Sequence, residues 1–84
     1  MKSIYAITPS GIDFKKLINE IEKMLSLGIK LFQYREKSLS EEQLKNNASI
    51  LLEVIKKNNG KLLINDSPKI AVEIGADGFH LGME

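Results

Sequence analysis

Four short apolar runs alternate along this chain with three stripes in which apolar residues recur at steps of three and four. That alternation is the strongest constraint on its fold, because it calls for parallel strands joined by right-handed helical crossovers. Ser3 to Ile7 reads as the first strand, closed by Thr8-Pro9-Ser10-Gly11, where proline removes a ladder donor and glycine permits a turn. Asp13 can cap the helix that follows. Its stripe is Phe14, Leu17, Ile18, Ile21, Met24 and Leu25, with Lys15, Lys16, Glu20 and Lys23 opposite. Gly28 stands where a helix end favours a left-handed residue, and Ile29 to Tyr34 is the second strand, running into Arg35-Glu36-Lys37. Ser40 and Gln43 have capping-box spacing ahead of a second helix carrying Leu44, Ala48, Leu51, Leu52 and Ile55, which Lys56-Lys57 and Asn59-Gly60 close. Leu62 to Ile64 is the third strand, Pro68 to Ile74 a short helix, Gly75 to Gly78 a turn, and Phe79 to Leu81 the fourth strand.

Two α/β architectures accept this order. An open doubly wound sheet carries helices on both faces, whereas an eight-stranded barrel carries them outside and places its chemistry at the C-terminal ends of the strands. Thr8, then Gln33 with Arg35 and Lys37, then Asn65 with Asp66, follow three successive strands, and His80 lies near the end of the fourth. This loading of one rim favours the barrel. Four strands make half of one, so the expectation is a β-α-β-α-β-α-β half-barrel forming one partial domain over residues 1–84.

Composition removes several functions. A net charge of +1 gives too little field to hold a nucleic acid. The longest apolar run, Ile4 to Ile7, is far short of the roughly 20 residues that cross a bilayer, and the N-terminus leads into no signal-peptide core. A cytoplasmic protein is expected. Cysteine is absent, so neither disulfides nor thiolate metal sites are available.

Arg35 is the only arginine among twelve basic residues. In extended chain, Gln33, Arg35 and Lys37 share a face, and an amide, a planar guanidinium and an ammonium together suit a diphosphate. The same segment also reads as a solvated strand exit in which Glu36 pairs with a neighbouring cation. Asp66 can give an oxygen to Mg²⁺, which is usually held by one or two carboxylates plus substrate phosphate, or it can cap the next helix. Gly75-Ala76-Asp77-Gly78 and Gly82 could admit a phosphate, but read more simply as ordinary turns. His80 reads as a rim or core residue rather than a ligand. The helix carboxylates face solvent, and no serine-histidine arrangement is legible.

Taken in order, Tyr5-Ala6-Ile7-Thr8, Gln33-Tyr34-Arg35-Glu36-Lys37, Ile64-Asn65-Asp66, Ile70-Ala71 and Gly75 through Gly82 resemble the N-terminal half of the thiamine-phosphate synthase and TenI family. The resemblance implies a TIM (β/α)8 barrel that joins hydroxymethylpyrimidine diphosphate to thiazole phosphate and releases diphosphate with Mg²⁺. It implies that the pyrimidine substrate ionises to a stabilised cation, which the thiazole nitrogen captures. By position, Gln33, Arg35, Lys37 and Asn65 resemble the pyrimidine-diphosphate contacts and Asp66 a Mg²⁺ ligand. The chain departs from the pattern at Met83, where the family has glutamine, and Glu84 precedes the position of a second metal ligand. The thiazole-phosphate loops of the later strands have no counterpart here. The expectation is therefore a fragment or truncated product, inactive alone and able at most to bind part of the substrate unless a second chain completes the barrel. A TenI-like thiazole isomerase is an alternative, as is a half-barrel that associates through its open strand edges.

Overall fold

The computed structural model describes residues 5–8, 11–65 and 67–80, with the side chains of Tyr5 and His80 outside the description. Strands β1 (Tyr5–Ile7), β2 (Leu31–Tyr34), β3 (Lys61–Asn65) and β4 (Gly78–His80) alternate with helices α1 (Phe14–Ser26), α2 (Glu41–Lys57) and α3 (Pro68–Ile74). All neighbouring strands are parallel, and their spatial order is β1-β2-β3-β4.

The helices start where side chains satisfy their first free N–H groups. Asp13 accepts from the Lys16 amide at 3.3 Å, and Ser67 from that of Ile70 at 3.4 Å. At α2 the expected capping box is complete: the Gln43 amide donates to Ser40 Oγ and the Ser40 amide to Gln43 Oε1, both at 3.2 Å. Ser67 thus fills the cap position that the sequence also allowed to Asp66, which lies outside the described residues.

All three helices end alike. Ile29 donates to Met24 O at 3.0 Å, Gly60 to Ile55 O at 2.8 Å and Ala76 to Ala71 O at 2.9 Å. In each case the preceding residue, Gly28, Asn59 or Gly75, has a positive φ and donates to the carbonyl just after that acceptor, Leu25 O at 3.0 Å, Lys56 O at 3.0 Å or Val72 O at 3.2 Å, completing a Schellman motif. One expectation shifts as a result. The Ile29 amide is spent on the helix end, so β2 begins at Leu31 rather than Ile29. In the Asn59-Gly60 pair, asparagine takes the left-handed conformation at φ 62°. Gly60 is small for a different reason, because a Cβ there would lie 2.7 Å from Ile55 Cγ2 and 3.1 Å from Lys30 O.

The sheet has two unlike faces. Phe32, Tyr34, Leu62 and Ile64 are at most 2% exposed and pack with the stripes of α1 (Leu17, Ile21, Leu25), α2 (Ala48, Leu51, Ile55) and α3 (Ile70, Ala71) in one core. Three parallel crossovers of one hand, joining strands in sequential order, deliver every helix to the same side. On the other side Ile7, Gln33, Leu63 and Gly78 lie in register, with no helix over them, and Ile7 is 50% exposed. This singly wound half-ring is the barrel alternative, and a doubly wound sheet is excluded for the described residues.

At the N-terminal end of the sheet Asp77 joins three elements. Its Oδ2 accepts from the Leu62 amide at 2.9 Å, its Oδ1 meets Lys56 Nζ at 2.8 Å, and its own amide donates to Leu62 O at 3.0 Å. The Gly75–Gly78 segment is therefore a structural turn at the end opposite the polar rim; Gly82 lies outside the described residues.

Candidate functional site at the C-terminal rim

The rim begins where β1 and β2 stop pairing. The ladder runs one step past β1, with the Thr8 amide donating to Gln33 O at 3.0 Å. Thr8, 5% exposed, then clasps the next backbone unit: its Oγ1 accepts from the Arg35 amide at 3.0 Å and donates to Arg35 O at 3.4 Å. Arg35 is held in line with β2 although it lies beyond it, and its side chain is in an exposed position. Gln33, in contrast, is 3% exposed, flanked on the uncovered face by Ile7 and Leu63.

Lys37 and Asn65 come together. Both line a depression of about 370 Å³ whose other walls are Glu36, Glu41, Leu44, Ser67 and Ile70. Asn65 arrives as the last residue of β3, and Lys37 by the turn that leads into α2. Of the four expected diphosphate contacts, then, two share this depression, while Gln33 and Arg35 precede it along β2 and its exit. Asp66 lies outside the described residues.

Glu36 is the residue whose part here was not legible. One of its oxygens accepts from the Gly11 amide at 2.9 Å, in the connection from β1 to α1, and the other from the Ser38 amide at 3.2 Å and the Ser38 hydroxyl at 2.9 Å. Gly11 adopts φ 78°, a backbone that glycine takes without a side-chain penalty. The Gly11 N–H acts most strongly on the Glu36 carboxyl and, with the smaller help of the Ser38 and Lys37 donors, holds it below the usual carboxylate range against the upward push of burial. Sequence allowed Glu36 to be the counter-ion of Arg35 or Lys37; its oxygens are instead occupied by two loops. Glu41, the other acid of the depression, pairs with Lys69 at 3.2 Å. Among the described residues the Lys37 ammonium makes no ion pair, and a cation so placed is available to an anion.

Behind the rim Tyr34 is 2% exposed, and its hydroxyl accepts from Asn47 Nδ2 at 3.4 Å. Burial pushes its phenol above the ordinary value, so it is a core group at neutral pH. No three His, Asp or Glu side chains cluster as a metal site among the described residues. A second depression between β1 and α1 is mainly apolar, lined by Ala6, Ile12, Leu17, Met24 and Phe32 with Thr8, Lys16 and Glu20 beside them.

Strands in sequential parallel order, helices on one side, and polar residues gathered at the strand C-termini define a barrel-type α/β protein. Residues 4–84 match the family model described as thiamine monophosphate synthase, and the chain belongs to that family, which also includes the TenI proteins. Among curated relatives it is 37% identical over its whole length to a thiamine-phosphate synthase of Methylobacillus flagellatus, of which it covers 40%. It is 42% identical over 96% of its length to that of Nitrosospira multiformis, of which it covers 35%. It thus spans about two fifths of the length of these relatives. A thiamine phosphate pyrophosphorylase from Pyrococcus furiosus superimposes with a TM-score of 0.81 at 21% identity, over 95% of this chain and 39% of that one, and so has the same fold.

Proposed function

We propose that this chain supplies the pyrimidine-diphosphate side of a thiamine-phosphate synthase site, in which hydroxymethylpyrimidine diphosphate and thiazole phosphate combine with release of diphosphate. The observation that carries this reading is the shared depression of Lys37 and Asn65 at the strand C-termini, with Arg35 two residues before Lys37. In such a reaction the bond to the departing diphosphate breaks as positive charge grows on the pyrimidinylmethyl carbon. Catalysis then consists largely of steadying the negative charge that leaves. Arg35 would do so through its planar fork and Lys37 through a mobile point charge. Asn65 and Gln33 would orient the same substrate through amide hydrogen bonds.

The donors along this rim suit Mg²⁺. A magnesium ion bound through substrate phosphate needs only one or two protein carboxylates, and Asn65, at the depression, is followed in the chain by an aspartate. Asp66 would hold the ion, whose contribution is to neutralise phosphate charge.

Calorimetric titration of hydroxymethylpyrimidine diphosphate with magnesium into the purified chain tests this reading. Saturable binding is expected, weakened about tenfold or more by Arg35→Ala or Lys37→Ala, which corresponds to roughly 1.4 kcal/mol each. Lys15→Ala, on the outer side of α1, should leave the affinity unchanged. A folded chain that binds no diphosphate, or binds equally after both substitutions, overturns the reading.

A further inference from the structure

A carboxylate between two cations that are to receive a diphosphate needs a physical reason, because its own charge opposes the ligand. Glu36 stands between Arg35 and Lys37 and lines the same depression as Lys37. Its two oxygens take three donors, one from the β1–α1 connection and two from the turn at Ser38. Hydrogen bonds to an ionised acceptor are the stronger kind, and they fix the position of both partners. The Gly11 bond spans 25 residues of sequence, so this one side chain joins two neighbouring loops that have no strand pairing at that height.

We propose that Glu36 is a positioning residue of the rim, tying the β1–α1 and β2–α2 loops together so that Arg35 and Lys37 are presented to a diphosphate in one arrangement. The proposal rests on the diphosphate reading above. Thr8 fixes the Arg35 backbone from one side and Glu36 fixes the following turn from the other, leaving the cationic side chains as the movable parts. The carboxylate acts through its neighbours and need not touch the ligand.

Glu36→Gln tests this. The substitution keeps size but replaces one acceptor oxygen with an NH₂ donor, so whichever way the amide turns, the backbone N–H of either Gly11 or Ser38 meets a donor and is released. The probe is hydroxymethylpyrimidine diphosphate with magnesium, and Ser38→Ala, which removes only the hydroxyl donor, is the second variant. Glu36→Gln should bind about tenfold more weakly or worse, since small misplacements of binding groups carry losses of that order. Ser38→Ala should show a smaller loss. Amide exchange at Gly11 or at Ser38, whichever faces the new donor, should quicken in Glu36→Gln while that at Leu25, in the core of α1, stays unchanged. Wild-type affinity in a Glu36→Gln protein overturns the inference and leaves the diphosphate reading standing. Lowered thermal stability with unaltered affinity overturns it as well, by assigning Glu36 to the fold. Absence of binding by the wild type overturns the diphosphate reading itself.

Discussion

Asp77 and Glu36 are both carboxylates that accept backbone N–H groups, and they sit at opposite ends of one sheet. Neither role is legible locally, because the amide partners lie 15 and 25 residues away and each acid looks in sequence like an ordinary turn or loop charge. The rim positions of Lys37 and Asn65 were legible, since one soon follows and the other closes an apolar strand run. Asp77 should matter for stability alone. Burial pushes its carboxyl up, but the Lys56 ammonium and the Leu62 amide outweigh that and hold it below the ordinary value. A group with a lowered folded pKa stabilises fully above its unfolded pKa, and that stabilisation disappears as pH falls through the folded one. Asp77→Asn should therefore cost about 1–2 kcal/mol at neutral pH in denaturant unfolding. The difference from wild type should shrink as the pH drops below about 4. A difference that is constant down to acid pH would refute this account of Asp77.

At the scale of elements, the helices were the most legible parts because their signals are local. The stripe of α1, the capping box of α2 and the Pro68–Ile74 span of α3 all depend on residues within one or two turns of each other. Strand limits were less so, since pairing and not composition decides where a strand starts. β4 begins at Gly78 because Gly78 is in register with Leu63, a partner that no local pattern names. The capping box gives a direct check. Ser40→Ala removes the acceptor for the Gln43 amide and should lower stability by about 1 kcal/mol, read as a shift of the denaturation midpoint with an unchanged slope. A midpoint equal to wild type would mean that solvent replaces the cap without cost.

For the molecule as a whole, the sequence favoured a barrel from the polar residues along one rim, and the singly wound sheet is the physical form of that preference. What periodicity could not settle was which face of each strand the helices cover, because buried parallel strands read as near-continuous apolar runs. The two faces should respond differently to substitution. Phe32→Ala removes a side chain that is 0% exposed on the helix-covered face and should cost about 3–5 kcal/mol. Ile7→Ser, on the uncovered face, should change stability by no more than about 1 kcal/mol. Equal losses in thermal or denaturant unfolding would contradict the sidedness of the sheet. The three Schellman endings have a further consequence. The joints from helix to strand, residues 27–30, 58–60 and 75–77, are short and end their helices to one pattern, whereas the joints from strand to helix vary in length, from residues 66–67 after β3 to residues 35–40 after β2. A lineage using this plan can exchange one substrate for another by rewriting the upper joints. The lower joints share one way of ending a helix and meet no ligand in the diphosphate reading, so the same ending can serve each unit in turn.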